Sequence, residues 1–152
     1  MKTCDRCTAL TLDGTRCKRN TCTTGPTCYQ HTQGLRVKPS HVAGKGLFAT
    51  RNFQPNTLIA PYTGEKLKRK TFNRQHRDPQ YAISVGNWVI DARRSNSGVA
   101  RYINDCRETR YPCNASFDKA GRSRVLVHAR RRIRTGSEIF APYGSGYWRG
   151  RG

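Results

Sequence analysis

Arg101-Tyr102-Ile103-Asn104-Asp105-Cys106 and Ile139-Phe140-Ala141-Pro142-Tyr143-Gly144 are the two stretches on which the reading of this chain turns. Each is a short apolar run that ends in a polar group at a turn. One offers a carboxamide, the other a phenol. Two such runs are what strand ends with ordinary turn chemistry look like. They are also how distant segments meet at a site. A third segment, His41-Val42-Ala43-Gly44-Lys45-Gly46-Leu47-Phe48, is a glycine turn feeding an apolar strand. Glycine there lets the backbone approach a neighbour or ligand closely.

The 152 residues fit one compact domain plus a small appendage. Lys and Arg number 29 against 9 Asp and Glu, a formal net charge of +20. That balance predicts attraction to polyanions such as nucleic acid, an anionic membrane or an acidic protein face. No apolar run approaches the roughly 20 residues of a membrane span. Met1-Lys2-Thr3-Cys4-Asp5 lacks the apolar core of a signal peptide. The expectation is an intracellular protein with no membrane partner. Its thiols would stay reduced, and clustered cysteines there hold metal more often than they pair. Seven cysteines, an odd number, also argue against a complete disulfide framework.

Residues 1–34 carry Cys4, Cys7, Cys17, Cys22, Cys28 and His31 and almost no large aliphatic side chains. A segment that cannot bury apolar surface needs a cross-link to fold. Cys4-x-x-Cys7 and Cys28-x-x-His31 are two chelating half-sites, and tetrahedral zinc accepts thiolate and imidazole. Six candidates compete for four places, and spacing favours Cys4, Cys7, Cys28 and His31. Beyond them, Gly34 to Pro39 reads as a linker. Strands are expected at Leu47–Ala49 and Thr57–Ala60, with Gln54-Pro55-Asn56 as a turn between them, and at Tyr81–Val85 and Trp88–Asp91 around a Gly86-Asn87 hairpin. Further strands are expected at Val125–His128 and Glu138–Ala141. Lys66 to His76 is a basic, helix-permissive insert, and Val99–Ile103 fits helix or strand equally. His41 and His128 read as surface or strand histidines. The sum is a mainly β domain.

The ordered set Gly44-Lys45-Gly46-Leu47-Phe48, Tyr62-x-Gly64-Glu65, Asp91-Ala92, Arg101-Tyr102-Ile103-Asn104 and Tyr143-Gly144 resembles the SET domain family of protein lysine methyltransferases, in its compact viral form. The resemblance covers 35–149, leaving 150–152 as a basic tail. It implies small curved sheets with the C-terminal segment forming a pseudoknot beside Asn104. It implies S-adenosylmethionine as cofactor, held by Gly44, Lys45, Gly46, Tyr81, Arg101, Asn104, Asp105 and Tyr143. It implies Tyr143 as the catalytic tyrosine, with Tyr62 and Tyr81 as channel walls. Where the family usually has His, this chain has Asp105. A six-residue insertion, Arg107 to Pro112, precedes Cys113-Asn114, and Asn114 aligns with the family's second Asn. Ala141 stands where the family often has Phe or Tyr. That leaves room for multiple methylation unless Tyr102 or Phe117 fills the gap.

The N-terminal pattern is similar to a small Cys-Cys-Cys-His module of large DNA virus proteins, and that resemblance selects Cys7, Cys17, Cys28 and His31 as structural zinc ligands. Cys106 and Cys113 have no second chelating pair nearby to make a further metal site. The family implies a histone tail or another basic protein as substrate, in the nucleus (the host's, for a viral protein). The positive charge suits a DNA or nucleosome surface. No cysteine follows Cys113, so channel closure falls to a second protomer or to the N-terminal unit. A competing reading is an inactive SET fold that serves as a basic, zinc-stabilised nucleic-acid or chromatin tether.

Overall fold

The computed structural model describes residues 34–94, 97–107 and 109–143, together with 15, 16 and 18. Cys4, Cys7, Cys17, Cys22, Cys28 and His31, like Gly144, lie outside the described residues. The elements in chain order are β1 (Leu35–Pro39), β2 (Lys45–Ala49), β3 (Leu58–Pro61), β4 (Glu65–Lys68), α1 (Arg69–Arg74), β5 (Ala82–Val85), β6 (Trp88–Asp91), β7 (Ala115–Ala120) and β8 (Arg124–Ala129). Single 3-10 turns occur at Pro79–Tyr81 and Ala100–Tyr102. The strands form three small antiparallel sheets: β1-β2, β3-β8-β7 and β4-β6-β5.

Alternation explains β8, one of the strands that the sequence announces. In β8 the odd residues Val125, Val127 and Ala129 are buried while Arg124 is exposed, the period-2 signature of a half-buried strand. The β5–β6 hairpin turns at Gly86, whose φ of +58° is left-handed, as such hairpin turns require. Asn56 takes φ +67° in the turn before β3, a conformation Asn tolerates. A single cluster unites the sheets, including Leu35, Leu47, Phe53, Ile59, Ile83, Ile103, Val127 and Ile139. A smaller one holds α1 down through Phe72 against Leu67, Ala82 and Val89.

Four expectations change. The linker at Gly34 to Pro39 is strand β1: Leu35 pairs with Ala49 and Val37 with Leu47. Arg36 and Lys38 alternate with Leu35 and Val37 and are only half-buried, so the run lacks the apolar density of a core strand. The basic insert divides, with Lys66–Lys68 in β4 and only Arg69–Arg74 helical. No side chain caps the helix N-terminus at Lys68. Val99–Ile103 is not a strand: it holds the single 3-10 helical turn Ala100–Tyr102. Glu138–Ala141 is not a strand of a sheet; it makes isolated bridges, Phe48↔Glu138 antiparallel and Asn104↔Phe140 parallel.

That last segment ties the site together. On one side the Ile139 N–H donates to the Leu47 carbonyl at 2.7 Å, and the Ala49 N–H donates to the Ser137 carbonyl at 2.9 Å. On the other, the Ala141 N–H donates to the Asn104 carbonyl at 3.2 Å, and the Asn114 and Ala115 N–H groups share the Phe140 carbonyl at 3.0 and 2.9 Å. Residues 137–141 thus run between β2 and the segments at Asn104 and Asn114, an arrangement consistent with the pseudoknot that the resemblance implies.

Candidate active site

The glycine turn between β1 and β2 is closed by the Ser40 N–H donating to the Gly44 carbonyl at 2.8 Å, with Gly44 at φ +54°. Nothing approaches the face of Gly44 where a Cβ would sit, so this backbone is open to a ligand. Gly46 is the opposite case: an added Cβ would run into the Glu138 carboxylate. Glu138 is buried, and its carboxylate accepts from the Ser40 hydroxyl at 2.6 Å, the His41 N–H at 3.0 Å and the Asn104 amide at 3.4 Å. These bonds compensate the burial of the carboxylate.

Asn104 is the hinge between the two halves of the site. Its Nδ2 lies 3.0 Å from Ser40 Oγ, 3.1 Å from the Lys45 carbonyl and 3.4 Å from the Ala43 carbonyl. The carboxamide therefore reaches back to the Gly44-Lys45-Gly46 turn, almost sixty residues earlier. Asn114 plays a complementary part. Its Nδ2 donates to the Glu138 carbonyl at 2.9 Å, and its Oδ1 accepts from the Phe140 N–H at 2.8 Å.

Tyr62, Tyr81 and Tyr143 lie near one another, and Tyr143 reaches the residue before Asn104. The Tyr143 hydroxyl donates to the Ile103 carbonyl at 2.5 Å, and the Tyr62 hydroxyl donates to the Tyr81 carbonyl at 2.8 Å. Phe117 packs edge-on to Tyr62, with centroids 5.7 Å apart, and lies 6.2 Å from Tyr143. Of the two aromatics considered for the gap left by Ala141, Phe117 is therefore the one against Tyr143, while Tyr102 lies against Arg101. Burial holds the Tyr62 phenol far above its ordinary value, and the neighbouring Tyr143, Asp91 and Tyr81 add to this while Arg101 opposes it. Burial likewise raises Tyr143, helped by Asp105 and Tyr81 and opposed by the Asp105 N–H. Both phenols are neutral at physiological pH.

Arg101 is spent on structure. Its Nε donates to the Ala92 carbonyl at 2.7 Å and Nη2 to the Arg93 carbonyl at 2.9 Å. Its guanidinium carbon sits 4.2 Å from the Tyr81 ring centre and 4.7 Å from that of Tyr102, a cation–π contact with each ring. Asp105 is half-buried and accepts from the Arg107 N–H at 2.9 Å and the Arg107 guanidinium at 2.7 Å. Burial disfavours its carboxylate, but those Arg107 bonds and the Tyr143 N–H outweigh it and hold Asp105 below the usual carboxylate range.

The structure thus brings Gly44, Lys45, Gly46, Tyr62, Tyr81, Asn104, Asp105 and Tyr143 into one neighbourhood, with Arg101 bracing Tyr81. Glu138 and Ser40 escaped the sequence reading. Glu138 opens an apolar run, where a strand pattern leaves a charged residue exposed, and nothing local marks its burial. The structure also corrects the expectation of reduced thiols: Cys106 and Cys113 form a disulfide, with Cα atoms 5.2 Å apart. The chain between them folds back far enough to bring the two together. Among the described residues, no group of three or more His, Cys, Asp or Glu could hold a metal ion.

A SET domain family model matches residues 44–144. The histone-lysine N-methyltransferase trithorax of Drosophila melanogaster is 29% identical over 112 residues, 68% of this chain and 3% of that protein. An H3 lysine-4 specific histone-lysine N-methyltransferase of Aspergillus oryzae is 29% identical over 119 residues, 72% of this chain and 9% of that protein. The chain thus spans less than a tenth of the length of either relative. A humanized mutant of the Chaetomium thermophilum Polycomb Repressive Complex 2, solved with the inhibitor GSK126, has the same fold at TM-score 0.60 and 20% identity, covering 74% of this chain and 15% of that one. With the matched residues spanning all three sheets and the Asn104–Phe140 crossing, this chain belongs to the SET domain family.

Proposed function

We propose that the protein is an S-adenosylmethionine-dependent protein-lysine N-methyltransferase acting on histone tails in chromatin. The observation that carries this reading is the convergence of Tyr62, Tyr81 and Tyr143 beside an Asn104 that reaches the glycine turn. The matched relatives, named as histone-lysine N-methyltransferases, support it.

The open backbone at Gly44 with Lys45, the Asn104 carboxamide and the Asp105 carboxylate suits a zwitterionic, cationic ligand of the size of S-adenosylmethionine. When bound, that cofactor supplies an electrophilic methyl group to a neutral amine. The chain's residues do the rest by positioning and by electrostatics. In this reading Tyr62 and Tyr81 are the walls of the lysine channel, with Phe117 packed against Tyr62. A free lysine titrates near about 10.4, and desolvation among aromatics disfavours its ammonium form. Tyr143 remains protonated, so it cannot take the lysine proton. Its hydroxyl, anchored on the Ile103 carbonyl, instead offers its oxygen lone pair to the amine and to the transferring methyl. The lysine proton leaves to solvent before the amine enters.

The charge gives the reading its substrate form. A +20 chain repels a free basic tail but is drawn to one presented on DNA. Lys66 and Lys68 lie over the Trp88 ring at 5.3 and 4.2 Å, and Arg122 sits beside Gly86 at the turn of the same hairpin. This face is the DNA-facing one in our reading. Cys7, Cys17, Cys28 and His31, a donor set suited to tetrahedral zinc, staple the N-terminal unit. A second protomer completes the channel. The setting is the nucleus.

Isotopically labelled S-adenosylmethionine, offered with free core histones and with intact nucleosomes, tests the proposal. Label on histone lysine that disappears in Tyr143→Phe, and that is stronger on nucleosomes, is expected. No label on either substrate, together with salt-sensitive DNA binding, would instead favour the tethering function.

A further inference from the structure

We infer that Cys106 and Cys113 are a reversible modification site, oxidised by a low-molecular-weight disulfide of the glutathione type, whose state sets how firmly the two arms around Phe140 are clamped. The inference rests on reading Asn104 and Tyr143 as parts of the methyl-transfer site. Cys106 ends the arm that carries Ile103 and Asn104, whose carbonyls accept from Tyr143 and Ala141. Cys113 begins the arm that carries Asn114, which grips Glu138 and Phe140. The disulfide therefore joins the two arms where the 137–141 segment passes between them.

Three observations separate a switch from a mere staple. First, the loop between the cysteines has its own fastenings. The Thr109 hydroxyl donates to the Cys106 carbonyl at 2.8 Å, and the Tyr111 N–H donates to Thr109 Oγ1 at 3.1 Å. Tyr111 also stacks on Phe140 and His41, at 5.3 and 5.7 Å between centroids. Reduction would loosen this loop rather than unfold it. Second, the sulfurs differ in access: Cys106 is buried and Cys113 half-buried, so an incoming reagent meets Cys113 first. Third, Arg110 is exposed on the loop, and its charge favours approach of an anionic peptide disulfide, whereas that of Arg107 is taken up by Asp105. A disulfide in a protein that works in chromatin faces a reducing thiol pool, where such bonds are transient and regulatory.

The chemistry balances as two exchanges. The Cys113 thiolate attacks one sulfur of glutathione disulfide, breaking its S–S bond and releasing one glutathione. The Cys106 thiolate then displaces the second glutathione from the mixed disulfide and forms the internal bond. Two electrons pass to glutathione, and the two thiol protons end on the two glutathiones released. Excess reduced glutathione reverses both steps.

The test uses the full chain equilibrated in buffers of varied glutathione ratio. Alkylation with peptide mass spectrometry follows this pair separately from the five N-terminal cysteines. Brief trypsin treatment reads cleavage after Arg107 and Arg110, and calorimetry reads S-adenosylmethionine affinity. Expected are a pair that titrates with the ratio, loop cleavage about tenfold faster when reduced, and cofactor affinity about fivefold weaker when reduced. The Cys106→Ser/Cys113→Ser double variant should behave as the reduced form at every ratio. A pair that does not titrate, or equal cleavage of the two forms, overturns the modification site. Equal affinity in both forms overturns its coupling to the cofactor. Absence of cofactor binding in either form overturns the methyltransferase reading instead, and the titration and cleavage results still decide the thiol pair.

Discussion

The Tyr143 hydroxyl donates to the Ile103 carbonyl at 2.5 Å, so the phenol is fixed by the residue immediately before Asn104. One hydrogen bond thereby couples the lysine end of the proposed site to its cofactor end. Tyr143→Phe deletes that bond and leaves the ring in place. Methyl transfer is expected to fall by on the order of a hundredfold or more, with thermodynamic stability changed by no more than about 1 kcal/mol. Single-turnover rates and chemical denaturation on the same preparation check this, and an unaltered rate would remove Tyr143 from the mechanism.

Asn114 holds the 138–140 segment by two side-chain bonds in a buried setting. Asn114→Ala leaves the Phe140 N–H and the Glu138 carbonyl without those partners. The expected loss is about 2 to 4 kcal/mol, read as a lower denaturation midpoint. A loss of a few tenths would mean that water replaces the carboxamide.

Gly46→Ala places a methyl group against a carboxylate that Ser40, His41 and Asn104 hold in place. The carboxylate must move or the turn must shift. We expect destabilisation of about 1 to 3 kcal/mol and weaker cofactor binding. Gly44→Ala meets no such obstacle, and its cost arises only from the left-handed φ, about 1 kcal/mol. Comparing the two melting temperatures separates crowding from backbone strain.

The pH dependence follows from the phenols. Tyr62 and Tyr143 are raised above their ordinary value of 10.0 by burial first, so folding favours their neutral forms. That stabilisation is complete below pH 10 and is lost as pH rises beyond it toward the higher folded values. Stability should therefore decline in strong alkali. The methylation rate should climb with pH toward the ordinary lysine value of about 10.4, without a falling limb from Tyr143. A rate maximum near neutrality would contradict a Tyr143 that stays protonated.

Asp105 works in the opposite direction. Its carboxyl is half-buried, which disfavours the charge, yet the Arg107 bonds and the Tyr143 N–H leave it below the usual range. Its contribution is present above the ordinary carboxylate value and lost as pH falls through the folded one. Asp105→Asn should flatten the acid limb of the stability curve. The difference between the two proteins' unfolding profiles below about pH 4 measures it.

Much of the site was legible because its residues sit at positions with strong local signatures. The left-handed Gly44, the Gly86 hairpin turn, and the polar ends at Asn104 and Tyr143 each announce themselves within a few residues. Alternation marked β5, although all four of its residues are buried rather than half of them, and short apolar runs marked β6 and β8. Strand β1 was missed because Arg36 and Lys38 alternate with only Leu35 and Val37, too little apolar density to stand out from a linker. Strand β7 is a sheet edge bearing Ser116, Asp118 and Lys119, and an edge tolerates polar residues that a central strand would not.

The sequence by itself determined the kind of domain, the order of its motifs and the residues with chemistry to offer, because backbone periodicity and turn chemistry act over a few residues. Only the tertiary structure decided which of those residues meet. It buried Glu138 under the glycine turn, spent the Arg101 guanidinium on the Ala92 and Arg93 carbonyls, set Phe117 between Tyr62 and Tyr143, and closed Cys106 onto Cys113. The burial of Glu138 depends on the 137–141 segment passing between β2 and the Asn104 and Asn114 arms. That is a contact across tens of residues, fixed by buried area and hydrogen-bond satisfaction, which no local pattern encodes.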